Sequence, residues 1–176
     1  MSNDDLLWLA GGILLLGAAG LATGVIAMPG SQPWADLPAW STWAGTLESA
    51  EGQYGLPAGL LSAVAYQESG FNPSVIDGTQ ASSAGALGIM QLEPAYFTSV
   101  QVPVPFSAAD TAAQIDQAAG YLAQLYQQFG DWPDALAAYN AGPGTVQNVQ
   151  TGAASALPAE TQAYVAAITA NVPAAA

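Results

Sequence analysis

Apolar residues recur at three- and four-residue spacing through several stretches of the chain, the repeat that lines one face of a helix. The clearest case is residues 57–69. Leu60, Val64 and Glu68 share one face there, with Leu61 and Ala65 beside them. Pro57 suits a first helical turn and Gly70 suits a helix end. The longest soluble helix is predicted over residues 110–129, with Ile115, Ala119, Leu122, Tyr126 and Phe129 as its inner stripe and Gly130 as its stop. Shorter helices are predicted over 46–54, over 133–140, opened by Pro133 and ending near Gly142, and over 158–171, with Val165, Ile168 and Val172 facing inward. Residues 101–106, QVPVPF, are expected to be extended, because a residue before proline is driven from the helical region. Strand formers are sparse, so the fold class expected is all-α.

A different pattern fills the N-terminus. Residues 6–28 read LLWLAGGILLLGAAGLATGVIAM, and no charge falls between Asp5 and Asp36. About 20 apolar residues span a bilayer, so this run predicts a single transmembrane helix. A cleaved leader would want a basic start and a shorter apolar core, which favours an anchor over residues 1–28 that stays attached. Residues 29–43, rich in Pro and Trp, are read as a linker. Trp34, Trp40 and Trp43 fit either an interfacial aromatic belt or packing on the domain. The folded domain is expected over residues 44–172, with 173–176 as a frayed tail.

Charge narrows the function classes. The 176 residues include thirteen acidic ones and no Lys, Arg or His, a formal net charge of −13. Without cations the chain has nothing to neutralise phosphates, so a nucleic-acid partner is not expected. Without His or Cys it has no nitrogen or sulfur side-chain ligand for zinc, and no triad that needs either residue. The missing Lys and Arg also leave the membrane segment without an orientation signal. Chemistry is left to carboxylates, hydroxyls, amides and the backbone.

Glu68 is the carboxylate that this leaves in view. It continues an apolar stripe, and burial disfavours its ionised form. It stands at a helix C-terminus, whose partial negative charge disfavours that form again. No cation in the chain is there to offset either effect. A carboxylic acid kept protonated near neutral pH is what the protonation of a glycosidic leaving group requires.

Four short motifs follow in order. Glu68-Ser69-Gly70-Phe71-Asn72-Pro73 opens the series, then Gly85-Ala86-Leu87-Gly88-Ile89-Met90-Gln91-Leu92, then Ala138-Tyr139-Asn140-Ala141-Gly142, then the run from Leu157 to Val165, LPAETQAYV. Together they resemble the catalytic domain of the soluble lytic transglycosylases, a family of lysozyme-like, mainly α-helical fold. The resemblance covers residues 44–172 and not the N-terminal run. It implies cleavage of the β-1,4 bond between N-acetylmuramic acid and N-acetylglucosamine, leaving 1,6-anhydro ends, with no cofactor and no metal. It implies that Glu68 is the catalytic acid and that Ser82 or Ser83 helps to position substrate. Met90 and Gln91 would contact sugar rings, and Tyr139 would stand near the catalytic carboxyl. Glu160 and Tyr164 match the last motif, where the glutamate supports the site wall, and Asn140 and Gly142 shape the turn behind the groove.

The sequence departs from that pattern in places. The segment between Glu68 and Gln91 is long and contains Asp77, which raises a rival reading: a hydrolytic lysozyme with Asp77 as base. Glu93 stands where the family often has an apolar residue. A third reading is a structural or glycan-binding membrane protein that keeps the fold without activity. The partners expected are peptidoglycan strands, a lipid bilayer through residues 6–28, and membrane proteins of an envelope or virion. The domain would face the peptidoglycan from a bacterial inner membrane or a phage virion membrane.

Overall fold

The computed structural model describes residues 32–176, and α4 (Ala108–Phe129) is the longest helix among them. Before it come α1 (Pro38–Tyr54), α2 (Leu60–Ser69) and the single turn α3 (Pro73–Ile76). After it come α5 (Trp132–Ala141), α6 (Pro143–Gln150) and α7 (Ala159–Asn171). Short 3₁₀ turns lie at Thr98–Val100 and Pro173–Ala175. Helix α4 packs against α1 and α5, α5 against α6 and α7, and α2 against α1 and α7. Among the described residues the only β feature is an isolated antiparallel bridge between Leu87 and Leu92. The all-α expectation holds for them.

Local chemistry explains the element boundaries. Helix α4 opens with reciprocal caps: Ser107 Oγ accepts the Asp110 amide at 3.2 Å, and Asp110 Oδ2 accepts the Ser107 amide at 2.8 Å, which satisfies two donors the helix leaves open. Gly130, at φ 85°, ends it. Asp131 Oδ1 accepts the Asp134 amide at 2.8 Å and starts α5. Pro143 stands at the start of α6, a helix the sequence reading does not foresee, since it ends the preceding helix near Gly142 and places nothing directly after it. The reversal at Gly142 (φ 82°, ψ 146°) lets one helix end and the next begin at the same residue.

The inner face of α4 is Thr111, Gln114, Ile115, Ala118, Ala119, Leu122 and Leu125. Tyr126, expected on that stripe, is exposed and stacks on Trp132 with ring centroids 4.2 Å apart. Residues three and four after Leu122 both point towards its side of the helix. Leu125 takes the interior place, and the larger ring covers the surface beside it.

Two boundaries move. Residues 38–43, read as linker, form the first turns of α1, because Pro38 opens a helix rather than breaking one. Trp34 is completely buried and packs on Tyr66 with ring centroids 5.7 Å apart. Trp40 and Trp43 are partly buried against the core, so for these rings packing, not an interfacial belt, is what is seen. At the other end, Val172 and Ala175 are buried, and residues 173–175 form an ordered turn rather than a frayed tail. The apolar run 6–28 and its bilayer reading lie outside the described residues, among which no helix is long and apolar enough to cross a membrane.

Candidate active site

Helix α2 carries Glu68 in its last turn. The helix begins at Leu60 rather than Pro57, since residues 57–59 form a turn that ends in Gly59 at φ 82°. Gly59 has no side chain to cap the helix, and a residue of α1 supplies the acceptors instead. Glu51 Oε2 accepts the Gly59 amide at 2.8 Å, and Oε1 accepts the Leu61 amide at 2.7 Å. Burial pushes the Glu51 carboxyl up, and hydrogen bonds from the Gly59, Leu61 and Ser62 amides pull against that rise. Trp40 adds a tie between the same two helices, its Nε1 donating to Ser62 Oγ at 3.1 Å.

The motif after Glu68 is a device for leaving the helix. Gly70 caps α2 at φ 57°, its amide donating to Tyr66 O at 2.9 Å. Ser69 Oγ donates to Ala65 O at 2.8 Å and accepts the Phe71 amide at 3.3 Å. Phe71 is held at φ 53° with its ring buried. Asn72 Oδ1 accepts the Ser74 amide at 3.0 Å and caps α3, which Pro73 opens. The chain turns away sharply, and Glu68 stays at the end of its helix.

Glu68 is 7% exposed. Its Oε1 accepts a hydrogen bond from the Tyr164 hydroxyl of α7 at 2.7 Å, and its Oε2 is buried without a partner among the described residues. Burial raises its pKa to about 8, against a smaller lowering by the Tyr164 bond. Tyr139 of α5 is buried, and its hydroxyl donates to Met90 O at 3.0 Å. Burial first and the Glu68 charge second hold the phenols of Tyr139 and Tyr164 well above their ordinary range. Three elements distant in sequence thus bring Glu68, Tyr139 and Tyr164 together.

The turn that presents Gln91 is closed by Leu87 and Leu92, which exchange backbone hydrogen bonds of 3.0 and 2.9 Å. Within it the Gly88 carbonyl accepts both the Gln91 amide, at 3.1 Å, and Gln91 Nε2, at 2.9 Å. Gln91 itself lies at φ 47°. A non-glycine residue there costs of order 1–3 kcal/mol, and such strain collects where a side chain must be aimed.

The other sequence-derived candidates divide. Met90 is wholly buried, so its side chain offers no surface to a sugar; what it contributes is the carbonyl that receives Tyr139. Ser82 is partly buried, and its Oγ accepts the Ala86 amide at 3.0 Å, bracing the start of the Gln91 turn. Ser83 is exposed, and so is Glu160, in the first turn of α7. Asn140 is buried beside Tyr139, with Oδ1 unpartnered among the described residues. Asp77 Oδ1 accepts from both the amide and the hydroxyl of Thr79, and these bonds hold its carboxyl below the usual range. A carboxylate stabilised in that way is a weak base.

Sequence reasoning passed over Glu51, which shows no pattern beyond a charged residue in a short helix. It also gave Tyr164 no direct partner, although Thr161, Tyr164 and Ile168, the buried residues of α7, have helical spacing that marks one inward face.

Helices packed around a buried acid at the tip of α2, with two tyrosines beside it, define a lysozyme-like domain of carboxylic-acid type. Residues 45–161 match the family described as the transglycosylase SLT domain, and the chain belongs to that family. It is 37% identical over 100 residues to the soluble lytic murein transglycosylase of Escherichia coli strain K12, covering 52% of this chain and 15% of that one. It is 35% identical over 100 residues to a transglycosylase of Enterobacteria phage PRD1, covering 57% of this chain and 35% of the relative. The fold matches an inactive mutant of the lytic transglycosylase Slt from Pseudomonas aeruginosa with a TM-score of 0.59 and 28% identity, over 80% of this chain and 24% of that one. The 70 kDa soluble lytic transglycosylase of Escherichia coli gives 0.57 and 29%, over 73% and 23%. These relatives are much longer than this chain, which spans only a minor part of each.

Proposed function

We propose that this chain is a peptidoglycan lytic transglycosylase in which Glu68 acts first as acid and then as base. The observation that carries this reading is the Glu68 carboxyl, buried, raised to about 8 and held by one tyrosine hydroxyl. At neutral pH it is protonated and has a proton to give. Glu68 donates that proton to the glycosidic oxygen, the bond to C1 of N-acetylmuramic acid breaks, and the sugar's own acetamido oxygen stabilises the positive charge at C1. The Glu68 carboxylate then takes the proton of the C6 hydroxyl, whose oxygen bonds to C1 and closes a 1,6-anhydro ring. The acid is regenerated and no water is consumed. One carboxyl serves both steps, where hydrolytic glycosidases commonly use two. Tyr164 orients the carboxyl, and Gln91 and Tyr139 form part of the wall that positions the sugar.

Digestion of purified cell wall in water enriched in heavy oxygen tests the reaction. Anhydro ends free of the label are expected. Labelled reducing ends would identify a hydrolase and refute the scheme.

The apolar run over residues 6–28 supports attachment to a bilayer, in a bacterial envelope or in a phage virion, and a peptidoglycan substrate requires the domain on the peptidoglycan side. A transglycosylase of a phage among the relatives supports the phage setting. Digestion of intact spheroplasts with a protease that cuts after aromatic residues tests the topology: the domain should be cleaved from outside, and protection until lysis would reverse it.

A further inference from the structure

Gln114 of α4 is fully buried, and neither its Nε2 nor its Oε1 has a hydrogen-bond partner among the described residues. An unsatisfied buried amide lowers stability, and a Leu or Met would fill the same volume without that cost. The amide lies directly against Gly88. A Cβ added to Gly88 would collide with Gln114 Oε1 and Cδ, so the hydrogen in that place points at the amide oxygen. A Cα–H···O contact is weak but directional, and only a glycine lets an amide approach so closely. Gly88, at φ +80°, is also the hub of the Gln91 turn, since its carbonyl accepts both the backbone and the side-chain amide of Gln91. The contacts run from Gln114 to Gly88 to Gln91.

We propose that Gln114 is a positioning residue for Gln91, setting from beneath the height of the Gly88 peptide and so the aim of the Gln91 amide. Gln91 is almost wholly buried, and with Nε2 engaged by Gly88 its Oε1 is the side-chain atom left to meet a donor on the glycan, either an acetamido N–H or a ring hydroxyl. This rests on the reading of the chain as a glycan-cleaving enzyme. Gln114 touches no reacting atom. It acts through the turn, and its influence falls on substrate binding more than on proton transfer.

The test compares the full chain with Gly88→Ala, Gln114→Ala and the double variant, measuring KM, kcat and melting temperature on purified peptidoglycan. Gly88→Ala is expected to raise KM about tenfold with kcat changed less than about twofold, and Gln114→Ala to raise KM about threefold. In the double variant the shortened side chain makes room for the new methyl. KM then recovers to about fivefold above the original, against the roughly thirtyfold that independent sites give. Multiplying effects on KM, or a loss of melting temperature with KM unchanged, would overturn the proposal. Gln114→Met supplies a second test should Gly88→Ala fail to fold. It fills the space without an oxygen and should raise KM about threefold while the melting temperature stays the same or rises; a KM equal to the original's overturns the proposal. If the unaltered chain does not cleave peptidoglycan, the functional reading fails and takes this proposal with it. Multiplying effects in an active enzyme sink the positioning role alone.

Discussion

Helix α2 has a buried glutamate at each end, and the two differ in what they accept. At its N-terminus the Glu51 carboxyl faces backbone amides of Gly59, Leu61 and Ser62. At its C-terminus Glu68 has one phenol for company and an oxygen with no partner among the described residues. No Lys, Arg or His exists in the chain to decide the matter by ion pairing. Only burial, hydrogen-bond donors and the direction of the helix remain. The helix N-terminus favours negative charge and the C-terminus opposes it. One residue type thus becomes an anchor at one end and an acid at the other, with their roles set by where α2 points its peptide groups.

The sharpest way to break that contrast is Glu68→Gln. The amide oxygen can still receive Tyr164, so folding should persist while wall cleavage falls by about 10³-fold, in the range general acid–base catalysis supplies. Stability should change in the opposite sense. The folded carboxyl titrates at about 8 and an unfolded one at the ordinary 4.5. Its contribution is complete below pH 4.5, drains away as pH rises, and levels off above about 8. The whole interval corresponds to roughly 5 kcal/mol. Glu68→Gln does not titrate, so denaturation curves from pH 4 to 9 should lose this slope and show a more stable protein at the alkaline end. A variant with the original slope would place the titrating group elsewhere. The same group predicts that kcat/KM of the unaltered enzyme falls as pH rises through about 8.

At the opposite end, Glu51→Ala leaves the first amides of α2 buried with no acceptor. Leaving those buried amides without an acceptor costs about 3 kcal/mol here, visible as a lower midpoint in urea. Residual activity at low temperature should keep the pH profile of the original, because Glu51 holds the helix and not the reacting proton. A displaced alkaline limb would show that the two ends are coupled electrostatically and would merge roles that the structure keeps apart.

Tyr164→Phe sharpens the acid end. The Tyr164 bond lowers the Glu68 pKa against the effect of burial, so its removal should move the alkaline limb of activity upward. Loss of orientation should also reduce kcat by about tenfold, roughly 1.4 kcal/mol of transition-state stabilisation. An unchanged limb with reduced kcat would make Tyr164 a packing residue only.

The two ends of α2 were not equally legible in the sequence. Glu68 stood out because a carboxylate on an apolar stripe, next to Gly70, breaks the pattern that surrounds it. Glu51 broke no pattern. Its partners are backbone amides, which carry no sequence signature, and they lie across a turn that the reading took as the start of a helix. Gln114 escaped for a related reason, since a single amide within an Ala-rich stripe reads as a polar edge until packing buries it. The helices themselves were legible where periodicity ran long, as in α4. The first was cut short at Pro38, because a proline that opens a helix also reads as a breaker, and α6 went unseen behind Gly142, which reads only as a helix end. Trp34 reads in sequence as linker, and only its tertiary partner, Tyr66, reveals it as core.

The smallest effect belongs to the other bond that holds the N-terminal end. Trp40 Nε1 donates to Ser62 Oγ at 3.1 Å, on the residue whose amide is the last that the Glu51 carboxyl faces. Both contacts join α1 to the first turn of α2, one through a buried carboxyl and one through two neutral groups. Ser62→Ala removes only the neutral bond and strands the indole N–H in a partly buried place, which costs about 1 kcal/mol. If the carboxyl is the principal anchor, this loss is about a third of that caused by Glu51→Ala, and adding Glu51→Ala to Ser62→Ala gives less than the sum, since the two contacts share one helix end. A Ser62→Ala loss as large as that of Glu51→Ala would mean that the indole, and not the carboxyl, fixes where α2 begins. The contrast between the two glutamates would then lose its first half.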